Sequence, residues 1–170
     1  ADPDRPLAHV SMLARDERER LRAFARGPGL EISDTQLLPH QILEQAHRAA
    51  DAEAVVCRGE RLSYGQLEST ARAVAAALEE VGAGPGDRVG VFIERSVEMP
   101  TALLGCHVAG AAYVPLDPAY PEARTRRVLE DAEVAAVVTT SALADRLPAG
   151  QWPVLGIERL DVALRHDGPP

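Results

Sequence analysis

Four short apolar runs, opening at Val89, Ala112, Val134 and Val154, recur every 20–23 residues, and a helix-like or turn-rich stretch fills each gap. An antiparallel strand pair needs only a tight turn, whereas a parallel pair needs a crossover of a dozen or more residues. Intervals of this length therefore predict an α/β fold: βαβ units forming a mostly parallel sheet flanked by helices, with right-handed crossovers. Val89–Ile93 and Val134–Val138 are unbroken apolar stretches, as expected of strands covered on both faces. Ala112–Leu116 is closed by Pro115 and Asp117-Pro118, and Val154–Ile157 supplies the fourth strand.

The gaps carry their own punctuation. Ser96 is placed to cap a helix running to about Val108, which Gly110 stops. Pro121 opens a second helix with Val128, Leu129 and Ala132 facing inward. Ser141–Leu147 is expected to be a short helix, and Leu160–Leu164 one further turn. Upstream, Pro39 suits a first helical position, and Leu38, Ile42, Leu43, Ala46 and Ala50 recur at helical spacing. Ala54–Cys57 and Glu60–Ser63 read as two short strands turning at Arg58-Gly59. Ser63 and Gln66 stand in the S-x-x-Q capping-box arrangement. Leu67, Ala71, Val74, Ala75, Leu78 and Val81 then form one apolar face of a long helix, which ends at Gly82 before the turn Gly84-Pro85-Gly86-Asp87.

The N-terminal text differs in kind. Residues 1–12, with Pro3 and Pro6, read as an extended arm. Ala14 to Arg26 reads as a short helix with Leu13, Leu21 and Phe24 as its apolar stripe, stopped by Gly27-Pro28-Gly29. The expected division is an interdomain linker with a short helix over residues 1–36 and a compact α/β part over residues 37–170.

Charge and cysteine usage narrow the chemistry. Eighteen basic against 26 acidic side chains leave a net charge of −8, which disfavours nucleic acid and anionic membrane as partners. No apolar run approaches the ~20 residues of a membrane span, and ADPDRPLAHV shows no signal-peptide pattern. The expected localisation is cytoplasmic. All 18 basic residues are arginine; without lysine, these residues cannot supply a Walker-type phosphate loop, a Schiff base or a lysine-dependent phosphoryl or adenylyl transfer. Cys57 and Cys106 lack CxxC spacing and are expected to be buried free thiols.

The remaining candidates favour structural roles. Gly82-Ala83-Gly84-Pro85-Gly86 follows a helix and leads into a strand, the reverse of a dinucleotide-binding loop, and reads as a helix stop plus turn. Thr139-Thr140-Ser141 follows a strand, so its hydroxyls could meet a phosphate; helix capping is the preferred reading. Cys106 and His107 diverge by about 100° on a helix, and His9, His40, His47 and His166 offer no evident third metal ligand. Glu130, Asp131 and Glu133 read as a solvated helix end. No catalytic, cofactor-binding or metal-binding residue is assigned.

Two segments carry a family resemblance. Leu62–Leu67 (LSYGQL) matches the pattern L-[TS]-Y-x-[EQ]-L throughout. Ala109–Asp117 (AGAAYVPLD) matches the end of L-K-A-G-x-A-Y-[VL]-P-[LI]-D, and PAYP continues it. His107 and Val108 stand where leucine and lysine are usual, and Pro100, expected to disturb the first turn of its helix, is also atypical. DRVGVFIER at 87–95 and VAAVVTT at 134–140 add to the likeness. Over roughly residues 37–165 the sequence resembles the beginning of a nonribosomal peptide synthetase adenylation domain, within the adenylate-forming superfamily. RPLAHVSMLARDERERLRAF resembles the linker between a condensation and an adenylation domain.

The resemblance implies a partial N-terminal subdomain of an adenylate-forming enzyme. The complete protein would use ATP and Mg2+ to convert an amino acid into aminoacyl-AMP, then load a carrier-protein phosphopantetheine. Implied partners are the remainder of the adenylation domain, adjacent condensation and carrier domains, and an MbtH-like protein. In the family, the phosphate loop, specificity pocket, ribose-binding aspartate and catalytic lysine come later in the chain. The 170 residues alone are therefore expected to bind no cofactor and form no adenylate. The alternatives are an aryl- or fatty-acyl adenylate-forming ligase fragment and a non-catalytic interaction module.

Overall fold

A computed structural model describes residues 13–27 and 37–160. The chain divides into two units between Gln36 and Leu37. The arm expected over 1–12, the segment 28–36 and all but the first residue of the turn expected at Leu160–Leu164 lie outside the described residues.

In the first unit, helix α1 (Arg15–Phe24) has Asp16 and Glu17 in its first turn and Arg22 in its last, a charge order that complements the helix dipole. Its Arg15–Glu19 and Asp16–Arg20 pairs are four residues apart and exposed. Leu13, Leu21 and Phe24 are also exposed.

The second unit opens with α2 (Leu38–Arg48), where Pro39 lies in the first turn and its missing N–H breaks no helical bond. Strands β1 (Glu53–Cys57) and β2 (Glu60–Ser63) pair antiparallel. Arg58 (φ 52°) and Gly59 (φ 92°) connect them, the two left-handed residues that a tight hairpin turn requires. Helix α3 (Tyr64–Glu80) starts with the full capping box: Gln66 N–H donates to Ser63 Oγ (3.2 Å), and Ser63 N–H donates to Gln66 Oε1 (2.9 Å). Leu67, Ala71, Val74, Ala75 and Leu78 are buried, whereas Val81, at the helix end, is exposed.

Strands β3 (Arg88–Phe92), β4 (Ala112–Leu116), β5 (Ala136–Thr139) and β6 (Val154–Gly156) form a parallel sheet in the order β4-β3-β5-β6. Helices α4 (Glu98–Val108), α5 (Glu122–Asp131) and α6 (Ile157–Leu160) complete the unit. Strand alternation sends Val89, Val91, Ile93, Ala136 and Val138 toward α3 and α4. Phe92, Leu116 and Val137 pack instead with Leu129 of α5. Both faces are covered, which is why the strands read as continuous apolar runs. A Cβ at Gly90 would lie 3.0 Å from Leu129 and 3.2 Å from Leu116 and Val137, so α5 sits close against β3 there.

Helices α3, α4 and α5 end alike. After α3, the N–H groups of Gly82 and Ala83 donate to the carbonyls of Glu79 and Leu78; Gly110/Ala111 and Glu133/Val134 repeat the pattern after α4 and α5. This pair of hydrogen bonds around a left-handed residue satisfies carbonyls that a helix end leaves unpaired. The left-handed residues are Gly82, Gly110 and Glu133, at φ 80°, 77° and 48°. Thus the segment Gly82–Gly86 is a helix stop and turn, closed by Gly84 N–H donating to Asp87 Oδ2.

Several local expectations need correction. Ser96 does not cap α4: Val97 occupies that position, and the Ser96 hydroxyl donates to the Glu94 carbonyl. Pro100 falls in the first turn of α4, where its missing N–H costs no helical bond. Ser141–Leu147 contains only a 3-10 turn over Ala144–Arg146. Strand β5 starts at Ala136 because Val134 is used in the α5 stop, and Ile157 opens α6 instead of extending β6. Cys106 is buried but Cys57 only partly so. Among the described residues no helix is long and apolar enough to cross a membrane.

Candidate functional site

The two family-like segments are occupied with structure. In LSYGQL, Leu62 and Leu67 are buried and Ser63 and Gln66 satisfy each other's backbone donors. In AGAAYVPLD, Ala109 to Ala111 form the stop of α4, Leu116 enters the core, and Asp117 Oδ1 accepts from Ala119 N–H at 2.8 Å. His107 meets Tyr113 edge to face with ring centres 5.4 Å apart. Cys106 and His107 do diverge, one buried and one exposed, and no group of three or more His, Cys, Asp or Glu side chains able to hold a metal occurs among the described residues. Burial pushes the Cys106 thiol up to about 12, against a smaller lowering by a backbone hydrogen bond. Such a thiol is no nucleophile at neutral pH.

The concave surface lies elsewhere, at the carboxyl ends of β3 and β5. After β3 the chain turns to α4 on one face; after β5 it turns to the opposite face, where Leu143 and Trp152 pack with α5. Adjacent parallel strands whose connections diverge leave a crevice between them, the usual ligand position in open α/β sheets. Two adjoining spaces of about 430 and 440 Å³ occupy it, sharing Arg58, Glu94, Arg95 and Arg146 in their walls. Ser96, Thr140 and Glu158 line the first space, and Asp117 and Pro118 the second.

Each wall has a defined origin. Thr139 Oγ1 donates to the Phe92 carbonyl at 2.7 Å, clipping the ends of β5 and β3 together. The Cys57 thiol donates to the Arg95 carbonyl at 3.6 Å, tying the β1–β2 hairpin to the loop after β3. Arg146 donates to the Pro118 carbonyl at 2.6 Å and stands 3.8 Å from Glu94. Ser141 N–H lies 3.0 Å from both carboxylate oxygens of Glu158, and its hydroxyl donates to one of them at 3.2 Å. The hydroxyls of Thr139 and Ser141 therefore cap no helix; the first fastens two strand ends and the second holds a carboxylate. Sequence reasoning missed Arg58, Arg95, Arg146 and Glu158, because only the strand order and the docking of the β1–β2 hairpin beside β3 bring them to one crevice.

The family model for AMP-binding enzymes matches residues 42–166. The chain belongs to that family. Tyrocidine synthase 3 of Brevibacillus parabrevis is 37% identical over 147 residues, 86% of this chain and 2% of that protein. The nonribosomal peptide synthetase FmoA3 has been solved with AMPPNP (37% identity, 86% of this chain, 16% of that one, TM-score 0.75). It has also been solved with alpha-methyl-L-serine-AMP (40%, 75% and 14%, TM-score 0.71). The N-terminal subdomain of Klebsiella oxytoca NpsA, solved with 3-hydroxybenzoyl-AMSN, is 28% identical over 72% of this chain and 31% of that one, with a TM-score of 0.64. This AMP-binding family chain thus matches the N-terminal part of adenylation domains, and spans 2–4% of the length of the curated synthetases.

Proposed function

We propose that the chain is the first part of an amino-acid-activating adenylation domain in a nonribosomal peptide synthetase. The observation that carries this reading is the 40% identity to a synthetase solved with an aminoacyl adenylate, against 28% to a subdomain solved with an aryl one. In the complete polypeptide a carboxylate oxygen of the amino acid attacks the α-phosphorus of ATP. Pyrophosphate leaves, and the acyl group of the resulting mixed anhydride passes to a carrier-domain phosphopantetheine thiol with release of AMP. Residues 1–36 act as the linker from a condensation domain and residues 37–170 as the start of the adenylation core. An MbtH-like protein is a further candidate partner, and the working location is the cytoplasm.

Among the described residues no group of three or more His, Cys, Asp or Glu side chains forms a metal-ligand cluster, so these residues offer no all-protein cage, and Mg2+ in the complete enzyme would be held largely through the ATP phosphates. The contribution of these residues is the sheet and its crevice, while a lysine for phosphate contact has to come from outside these 170 residues. The test is exchange of radiolabelled pyrophosphate into ATP by the polypeptide that carries this chain, with pooled amino acids or pooled aryl acids. Exchange that requires amino acids is expected. Exchange supported only by aryl acids would replace this reading with an aryl ligase, and the isolated 170 residues are expected to give none.

A further inference from the structure

Three arginines, Arg58, Arg95 and Arg146, line both spaces of the crevice. The carboxylates around them are largely committed: Glu94 to Arg146, Glu158 to Ser141, and Asp117 to the Ala119 amide. Arg146 is likewise held by Glu94 and the Pro118 carbonyl. The guanidinium groups of Arg58 and Arg95 make no hydrogen bond or ion pair among the described residues. Against them stands one uncommitted carboxylate, Glu98, in the first turn of α4, where the helix dipole offsets its charge. Two like charges on one concave wall repel each other, and an anion between them relieves that repulsion.

Arg58 has a second peculiarity. Its φ of 52° lies in the left-handed region, at a turn position that favours Asn, Asp or Gly. A long cation held there at a local conformational cost points to a use beyond the turn. The hairpin is also anchored to the Arg95 carbonyl through Cys57, so the two arginines reach the crevice from elements joined beside it. Opposite them, the loop after β5 already holds one oxyanion, the Glu158 carboxylate, on the Ser141 amide and hydroxyl.

From this we infer that the crevice at the ends of β3 and β5 binds the phosphate group of a small ligand between Arg58 and Arg95. Forked guanidinium donors match phosphate oxygens two at a time, and each space has the size of a small-molecule site. The inference concerns these residues alone and stands apart from the proposed adenylation.

The test is an amide-resolved NMR titration of the folded 170-residue chain with inorganic pyrophosphate, AMP and acetate, on the native sequence and the exposed double variant R58A/R95A. Saturable shifts with pyrophosphate or AMP, centred on Ser96, Thr140 and Ser141, are expected. Affinity should fall about tenfold or more in the double variant, while its thermal midpoint stays unchanged. Tighter binding of AMP than of pyrophosphate would support the site with a nucleotide as source; the reverse would support it with free phosphate. Absence of saturable shifts, equal affinity in R58A/R95A, or acetate binding as well as the phosphates would overturn the inference.

Discussion

Cys106 and Gly105 sit side by side on α4 and fail in different ways when perturbed. The Cys106 thiol is fully buried beneath the sheet and raised from 9.0 to about 12, chiefly by desolvation. The unfolded chain therefore releases this proton before the folded one does. Stability carried by the protonated thiol is intact below about pH 9 and declines as pH rises toward 12. A chemical-denaturation series across that window should show a midpoint falling with pH, and C106A should flatten that part of the slope. Native-state alkylation should modify the partly exposed Cys57 first and leave Cys106 protected until unfolding; equal rates would contradict its burial. Gly105 is governed by space instead. An added Cβ would stand 2.6 Å from Cβ and Cγ1 of Val74 and 3.0 Å from the Ala71 carbonyl. Neither the β-branched side chain nor the helix backbone can yield cheaply, so G105A should destabilise by about 1–3 kcal/mol or more. A denaturation midpoint equal to that of the native chain would refute the close α3–α4 contact.

At the scale of elements, the stops of α3, α4 and α5 show what the sequence reveals and what it conceals. Gly82 and Gly110 are visible as stops because glycine enters the left-handed region without steric cost. Glu133 carries no such mark, and the apolar pattern therefore places the start of β5 two residues early. The capping box at Ser63 and Gln66 is legible because both partners are local. The loops at Ser96 and Ser141 are not: the Ser96 hydroxyl turns back to the Glu94 carbonyl two residues upstream and α4 starts one residue later, while a tertiary contact claims the Ser141 hydroxyl for Glu158. Glu133 gives the element-scale prediction. A left-handed non-glycine residue costs about 1–2 kcal/mol, and the exposed Arg88–Glu133 pair (3.4 Å) returns little of it. After the larger unfolded-state entropy of glycine is subtracted, E133G should gain about 0.5–1 kcal/mol, read as a rise of a few degrees in the thermal midpoint. E130G, inside the last turn of α5, should lose about 1 kcal/mol by ordinary helix propensity. A destabilised E133G would mean that the ion pair outweighs the backbone term.

The whole molecule is legible as a class, from the spacing of its apolar runs, but not as a site. The order β4-β3-β5-β6 decides which strand ends adjoin, and no periodicity encodes that order. It also leaves β4 and β6 as sheet edges. On β4, Ala112, Tyr113 and Pro115 are exposed, and Pro115 removes one backbone donor from that edge. On β6, Val154 is 46% exposed on a strand of only three residues. Parallel sheets are ordinarily covered, and an open edge is a template for pairing with another strand. The 170-residue chain should therefore associate with itself as its concentration rises, chiefly through β6, where no proline interrupts the backbone. Sedimentation velocity over a dilution series should show a concentration-dependent sedimentation coefficient. V154K, which places a charge on the uncovered edge, should restore the monomer without lowering the thermal midpoint. A chain that stays monomeric throughout the series, with a single cooperative melting transition at high temperature, would show that these edges are sealed and that the four-stranded sheet is sufficient by itself.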